Sequence, residues 1–212
     1  MFVKPSLDRL TPAICRASHQ LHRETLPIYA RNHEFVLEIG NSDSPKTNNH
    51  HTIATIWLQA LGPLGIAHVR NLQLYSHWNI SQPVRFQGHV GFYVRISKTD
   101  NTWECATGTS PSARDRRGMR LESVKLLQSV IQQNVLQPMA GRTKQAFLCS
   151  DVELVIAAME VVASHTISAF EPEQSDSGKE RRHEIWADME RQLLALGTTE
   201  AASPESRQSL TP

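Results

Sequence analysis

Three side chains near the start of the chain have the types and the spacing of a metal site. Cys15, His19 and His22 stand at positions i, i+4 and i+7 of a predicted helix, so a thiol and two imidazoles would share one face. Zinc binds these ligand types, but a structural zinc site takes four ligands and the sequence fixes no fourth. We therefore interpret the two histidines as the polar edge of the helix and predict no metal site.

The other candidates for chemistry are isolated side chains. His50 and His51 end the polar stretch 40–51, which predicts a loop, and a loop does not preorganise metal ligands. Cys149 directly precedes a predicted helix, whose N-terminus lowers the pKa of a nearby thiol, so it is the cysteine to test with an alkylating probe. The sequence contains neither Gly-x-Ser-x-Gly nor a glycine-rich phosphate motif. We predict a non-enzymatic protein with no catalytic residue and no cofactor.

Four arginines form the densest positive stretch of the sequence: Arg114, Arg116, Arg117 and Arg120. The first three lie within the Ser/Pro-containing segment 107–118, and the fourth follows it. The composition of this segment predicts a mobile, solvated connector. The alternative is a nuclear-import signal or a set of phosphate contacts, and the protein would then be nuclear or associated with nucleic acid. A salt titration of DNA or RNA binding separates the two readings, because phosphate-driven binding weakens steeply with salt.

Hydrophobic periodicity predicts the elements of the N-terminal half. Apolar residues at helical spacing predict a first helix, which Thr11 caps and Pro27 ends or kinks. Alternation over residues 34–39 predicts a strand with its apolar side chains on one face. A second helix follows the polar loop and is predicted to stop at Gly62 and Pro63.

A sheet and further helices are predicted for the remainder. Residues 66–75 contain a strand, and 91–98 with 102–106 predict a β-hairpin around a polar turn. Within this hairpin Tyr93 and Arg95 would face one side of the sheet. The other side would receive the apolar residues of the same strand: Phe92, Val94 and Ile96.

The C-terminal part is predicted to be helical. One amphipathic pattern begins at Leu121 and continues up to Pro138. Ser150 starts a capping-box pattern ahead of a long apolar helix. A last helix is predicted to be closed by Gly197.

Composition limits the class of protein. The 212 residues carry 22 Lys and Arg against 21 Asp and Glu, and this balance excludes a broad electrostatic footprint for nucleic acid or an anionic membrane. No apolar stretch approaches the ~20 residues of a membrane span. Three widely spaced cysteines predict a reducing compartment, and thus an intracellular protein of the cytoplasm or nucleus.

Together these patterns predict an α+β fold, in which helices cover a small, mainly antiparallel sheet and the C-terminal portion is helical. We expect a single domain over residues 1–170, a linker and C-terminal helix over 171–197, and a disordered tail over 198–212.

The segment 13–35 resembles a recurring block of the F-box-like proteins of filamentous fungi. Its most distinctive part is the core Glu-x-Leu-Pro-Ile-Tyr at residues 24–29, and the resemblance extends over roughly residues 12–76. The matching positions are Arg16, Gln20, Leu21, Glu24, Leu26, Pro27, Ile28, Tyr29, Asn32 and Phe35.

This resemblance implies an interaction domain with an unidentified protein partner. Members commonly carry a Leu-Pro-x-Glu-Ile-Arg segment ahead of the block, and only residues 1–10 stand there in this sequence. We therefore expect the element that docks a ubiquitin-ligase adaptor to be absent or degenerate. Glu24 falls in the last turn of the predicted helix, where a carboxylate opposes the helix dipole, so it should either pair with Arg16, Arg31 or a backbone amide or lie exposed on the surface.

Overall fold

The structure, a computed structural model, describes six stretches of the chain: residues 18–39, 49–81, 87–100, 102–109, 121–169 and 176–199. None of the helices in these stretches combines the length and the apolar character that crossing a bilayer requires. The elements follow in the order α1 (His19–Asn32), β1 (Glu34–Glu38), α2 (Asn49–Ile66), β2 (Asn71–Ser81), β3 (Gln87–Thr99), β4 (Thr102–Thr109), α3 (Leu121–Ile131), a π-helical turn (Gln132–Leu136), α4 (Gln137–Ala140), α5 (Cys149–Ala169) and α6 (Asp176–Thr199).

The four strands form one mixed sheet in the order β1-β2-β3-β4. β1 runs parallel to β2, whereas β2–β3 and β3–β4 are antiparallel pairs. A parallel pair needs a crossover connection, and α2 is the helix that lies between β1 and β2 in the chain. The predicted α+β class with a mainly antiparallel sheet is confirmed.

The core lies between one face of this sheet and the helices. α2 packs beside β1, α5 against β2 and α3 along β4. Full burial of each large apolar side chain stabilises the fold by roughly 1.5–3 kcal/mol. The sheet contributes Phe35, Leu37, Leu72, Leu74, Phe92, Val94, Ile96 and Cys105 to this core.

Helix α1 continues through the proline at which the sequence predicted an end or a kink. Ser18 has an extended backbone, and its Oγ accepts a hydrogen bond from the Leu21 N–H at 3.1 Å, so it caps the helix that follows. Pro27 does not end α1, which continues to Asn32. The proline leaves the carbonyl four residues earlier without its helical donor, but this turn is exposed and water can replace the donor. The sequence predicted one helix running on from Thr11 through residue 18, and the extended Ser18 contradicts that continuity, while residue 11 itself lies outside the described residues.

Helix α2 contains a kink where the sequence predicted a stop. Gly62 has φ 58° and ψ −179°, a conformation that glycine adopts without steric cost, and the chain then makes one further turn from Pro63. α2 also begins earlier than expected, at Asn49. His50 and His51 therefore belong to its first turn and not to a loop.

The amphipathic pattern from Leu121 forms a helix that changes its hydrogen-bond register. After α3 the chain makes a π-helical turn, in which the Gln137 N–H donates to the Gln132 carbonyl, five residues back. Pro138 explains the change, because it has no N–H to bond the carbonyl of Asn134, four residues back.

The start of α5 is held by a buried carboxylate. Asp151 is 2% exposed and accepts a hydrogen bond from the Leu148 N–H at 2.7 Å. The Arg142 guanidinium pairs with the same carboxylate through both of its terminal nitrogens, Nη2 to Oδ1 at 2.8 Å. Leu148 is thus the N-cap residue, two residues before the predicted N-cap Ser150. Asp151 is the carboxylate of the capping box.

Helix α6 packs on α5 and α3 through Trp186, Met189 and Leu193, all of which are buried. It starts at Asp176, within the segment 171–197 predicted to hold a linker and a C-terminal helix, and continues to Thr199. The prediction that Gly197 closes this helix is wrong. Residues 200–212 of the predicted tail lie outside the described residues.

Candidate interaction surface

The second face of the sheet differs sharply from the core face. No described side chain on it is buried, and Val36 in β1 is 53% exposed. We call this surface the open sheet face, defined by Glu34, Val36, Glu38, Asn71, Gln73, Tyr75, Tyr93, Arg95, Ser97, Glu104, Ala106 and Gly108.

Two tyrosines occupy the centre of one row across the open sheet face. In this row Glu38 lies opposite Tyr75, Tyr75 opposite Tyr93, and Tyr93 opposite Gly108. The two rings are nearly parallel, with planes 12° apart and centroids 6.3 Å apart. A Cβ atom at Gly108 would lie 2.6 Å from the Tyr93 hydroxyl oxygen, so the ring uses the space that this glycine leaves.

The charges of the open sheet face are mostly negative. Its described residues include three carboxylates, Glu34, Glu38 and Glu104, and one guanidinium, Arg95. Arg95 Nη2 lies 3.2 Å from Glu34 Oε1, and about half of each side chain is exposed. Such an exposed pair contributes little stability, but it directs the Arg95 guanidinium towards β1.

The aromatic residues of segment 13–35 pack together in the fold and reach Trp57. The Tyr29 ring lies 4.0 Å from the His33 ring and 5.8 Å from that of Phe35, and Phe35 lies 5.3 Å from Trp57. This chain of rings joins α1 to β1 and α2. The block therefore has a structural role in the described fold.

The polar residues of the block lie on the outside of α1. Gln20 Nε2 donates to Glu24 Oε1 at 2.9 Å, and neither residue is buried. The partner shown for Glu24 is thus Gln20, and its exposure is the alternative that the sequence left open, so Glu24 needs no partner that offsets the helix dipole. The reason is that α1 continues to Asn32, which puts Glu24 in mid-helix, away from the negative end of the dipole. Arg16 lies outside the described residues.

The remaining predicted site residues do not form a site in the described chain. His19 and His22 lie in the first turn of α1, and Cys15 lies outside the described residues. The described part of the chain contains no group of three His, Cys, Asp or Glu side chains that could hold a metal ion. The four arginines of the predicted basic patch also lie outside the described residues: Arg114, Arg116, Arg117 and Arg120.

Both described thiols have a raised pKa. Burial raises the pKa of Cys105 from 9.0 to about 12. Burial also raises the pKa of Cys149, and the nearby Glu153 carboxylate adds to the shift. The predicted activation of Cys149 at a helix N-terminus is wrong, because desolvation and neighbouring negative charge outweigh the favourable backbone hydrogen bond.

We expect iodoacetamide to modify Cys149 more slowly in the folded chain than in the urea-unfolded chain at pH 8. A raised pKa in the folded state means that less of the thiol is present as the reactive thiolate. For Cys105, the raised pKa also contributes stability to the folded chain, which is fully present below pH 9 and lost as the pH rises towards 12. Cys105 should react only after unfolding. Mass spectrometry of the alkylated peptides over time measures both rates, and faster modification of Cys149 in the folded chain would contradict this expectation.

One further polar cluster fastens α6 to α5. His165 Nε2 lies 3.1 Å from Asp188 Oδ2, while His165 Nδ1 lies 2.7 Å from the Val161 carbonyl oxygen. The hydrogen bond from His165, with the nearby Arg191 guanidinium, holds the pKa of Asp188 below its ordinary value. This cluster joins two packed helices and is not part of the open sheet face.

Comparisons with known proteins give no match to a family model, a curated protein or a solved structure. The resemblance of segment 13–35 to the fungal F-box-like block therefore stays a prediction from the sequence.

Sequence reasoning placed Tyr93 and Arg95 together on one side of the hairpin, and the structure confirms this. It missed Tyr75, Val36 and Gly108 as members of the same surface. The signal for Val36 was present, because it alternates with Phe35 and Leu37, but alternation does not show which strands are neighbours.

Proposed function

We propose that this protein is a non-enzymatic protein-interaction domain, of the kind that the resemblance to the fungal F-box-like group implies, and that the open sheet face is its binding surface. The observation that supports this is that the helices of the described residues cover the sheet on one side. Helices bury one face, while Val36 is 53% exposed on the other, on the strand next to the half-buried Tyr75. Apolar and aromatic groups left on a surface beside polar ones are typical of binding sites.

The chemistry of the described cysteines supports the non-enzymatic part of the proposal. Cys105 and Cys149 are free thiols whose raised pKa disfavours the nucleophilic thiolate. Free thiols are also suited to a reducing compartment, so we place the function of this domain inside the cell, in the cytoplasm or nucleus.

Site-specific photo-crosslinking tests the binding surface. Val36 and Ile28 are both exposed and apolar, 53% and 62%, but Val36 lies on the open sheet face and Ile28 on α1. A benzophenone amino acid is introduced at either position of the full chain, in cells that naturally express it. We expect a discrete protein adduct from position 36 that position 28 does not give. No adduct at position 36, or the same adduct with equal yield at both positions, would contradict the proposal.

A further inference from the structure

We propose that the open sheet face binds a basic peptide segment, and that a Lys or Arg side chain of this segment rests on the Tyr75 and Tyr93 rings beside Glu38. The inference rests on the proposed function, because it names the chemistry of the partner for the same surface. Three features of the face support it.

The first feature is the pair of rings. Tyr75 and Tyr93 are both only half-buried, and their planes are nearly parallel. The face of an aromatic ring carries the negative part of its quadrupole, and it attracts an ammonium or guanidinium group. At an exposed site one such contact changes affinity by roughly two- to five-fold.

The second feature is the charge around the rings. Glu38 is the direct cross-strand neighbour of Tyr75, so its backbone lies one strand spacing, ~4.8 Å, away and its side chain is on the same face of the sheet. Glu104 adds a second carboxylate on β4, whereas Arg95 is directed towards Glu34 at 3.2 Å. The face therefore complements a cationic partner and repels phosphate, which argues against a nucleic acid as its occupant.

The third feature is a place for the apolar stem of the cation. Val36 lies two residues before Glu38 on β1, which puts both side chains on the same face. Lys and Arg bury their methylene stems on apolar surface while the charged head stays near polar groups. Val36 can receive the stem, while Glu38 and the rings receive the charge.

A peptide titration tests the proposal. The full chain, labelled with nitrogen-15, is titrated at low salt with a hexa-arginine peptide blocked at both ends. A blocked hexaglutamate peptide and a six-nucleotide uridine RNA represent the other possible occupants. We expect hexa-arginine to shift the amide signals of Tyr75, Tyr93 and their strand neighbours, and the other two probes to leave them in place.

Substitutions then separate the rings from the charge. We expect Tyr75→Ala with Tyr93→Ala to weaken hexa-arginine binding about ten-fold, and Glu38→Gln about three-fold. Tyr93→Phe keeps the ring and should bind as the native chain does. The matched control for the lost carboxylate is Glu153→Gln on α5, an exposed position outside the open sheet face, which should change nothing.

Gly108→Ala tests the position of the ring without removing it. The added methyl group would displace the Tyr93 hydroxyl end, which is the far end of a movable side chain, so the fold should persist. We expect about three-fold weaker hexa-arginine binding with an unchanged far-ultraviolet circular dichroism spectrum.

Several results would overturn the proposal: equal affinity of the double tyrosine variant and the native chain, shifts confined to other surfaces, or tighter binding of hexaglutamate or RNA to the open sheet face. Failure of the peptide titration together with an adduct at position 36 would overturn the basic partner alone. Absence of that adduct would instead remove the proposed function.

Discussion

Replacing Phe92 with alanine is expected to lower the free energy of unfolding by about 4 kcal/mol. Phe92 is fully buried on β3, in the core between the sheet and the helices. The substitution removes most of a large apolar side chain and leaves a cavity that the packed helices cannot fill completely. Urea denaturation followed by tryptophan fluorescence measures the change.

The next residue along the strand provides the control. Tyr93 points to the open sheet face, and its replacement by alanine removes only a half-buried ring and its contact with Tyr75. We expect a cost of about 1 kcal/mol. Where Phe92→Ala prevents folding altogether, Phe92→Leu should cost about 1 kcal/mol and keep the comparison measurable.

This pair of substitutions tests whether the sheet is covered on one side or on both. A cost for Tyr93→Ala as large as that for Phe92→Ala would mean that the second face is also packed in the folded chain. The open sheet face would then not be available to a partner, and the proposed function would lose its supporting observation.

The second large effect is expected at the start of α5. Asp151→Ala should lower the free energy of unfolding by about 3 kcal/mol, because it leaves the Arg142 guanidinium without its buried partner and the Leu148 N–H without its acceptor. Arg142 is 31% exposed, so solvent moderates the loss. Urea denaturation measures this value as well.

Glu153→Ala is the matched control, since Glu153 is an exposed carboxylate two residues further along α5. We expect a change within about 0.5 kcal/mol for this variant. Removing Arg142 and Asp151 together should cost less than the sum of the two single losses, because the two side chains interact directly. Additive costs would show that the pair does not act as a unit.

Most elements of this fold are determined by local sequence patterns. Alternation in residues 34–39 and around Phe92 predicts strands with one buried face, and helical spacing predicts α2, α3 and α5. Burial of apolar side chains imposes these periods, because one face of each element must meet the core. The same alternation places Tyr93 and Arg95 opposite the core residues of β3.

Proline and glycine were less reliable as predictors of helix ends. Pro27 was predicted to end or kink α1, and the helix does not end there, because Leu26 and Ala30 on either side of it are fully buried. Their packing outweighs the loss of one hydrogen bond on an exposed turn. Gly62 likewise produces a kink and not an end, since the turn that follows it buries Ile66. The local sequence shows where a proline or glycine makes a helix less favourable in free energy. The packing of the surrounding side chains then decides whether the helix ends there.

The sequence by itself determined the α+β class, the strand faces and the amphipathic helices of this protein, because each depends on the spacing of nearby residues. Only the tertiary structure decided that β1 lies beside β2 in parallel, which brings Glu38 next to Tyr75 and leaves a tyrosine pair on the face that none of the described helices covers. It also decided that Asp151 meets Arg142 and that Cys149 is desolvated. These contacts depend on how separate segments pack, and the periodicity of one segment carries no information about its neighbours.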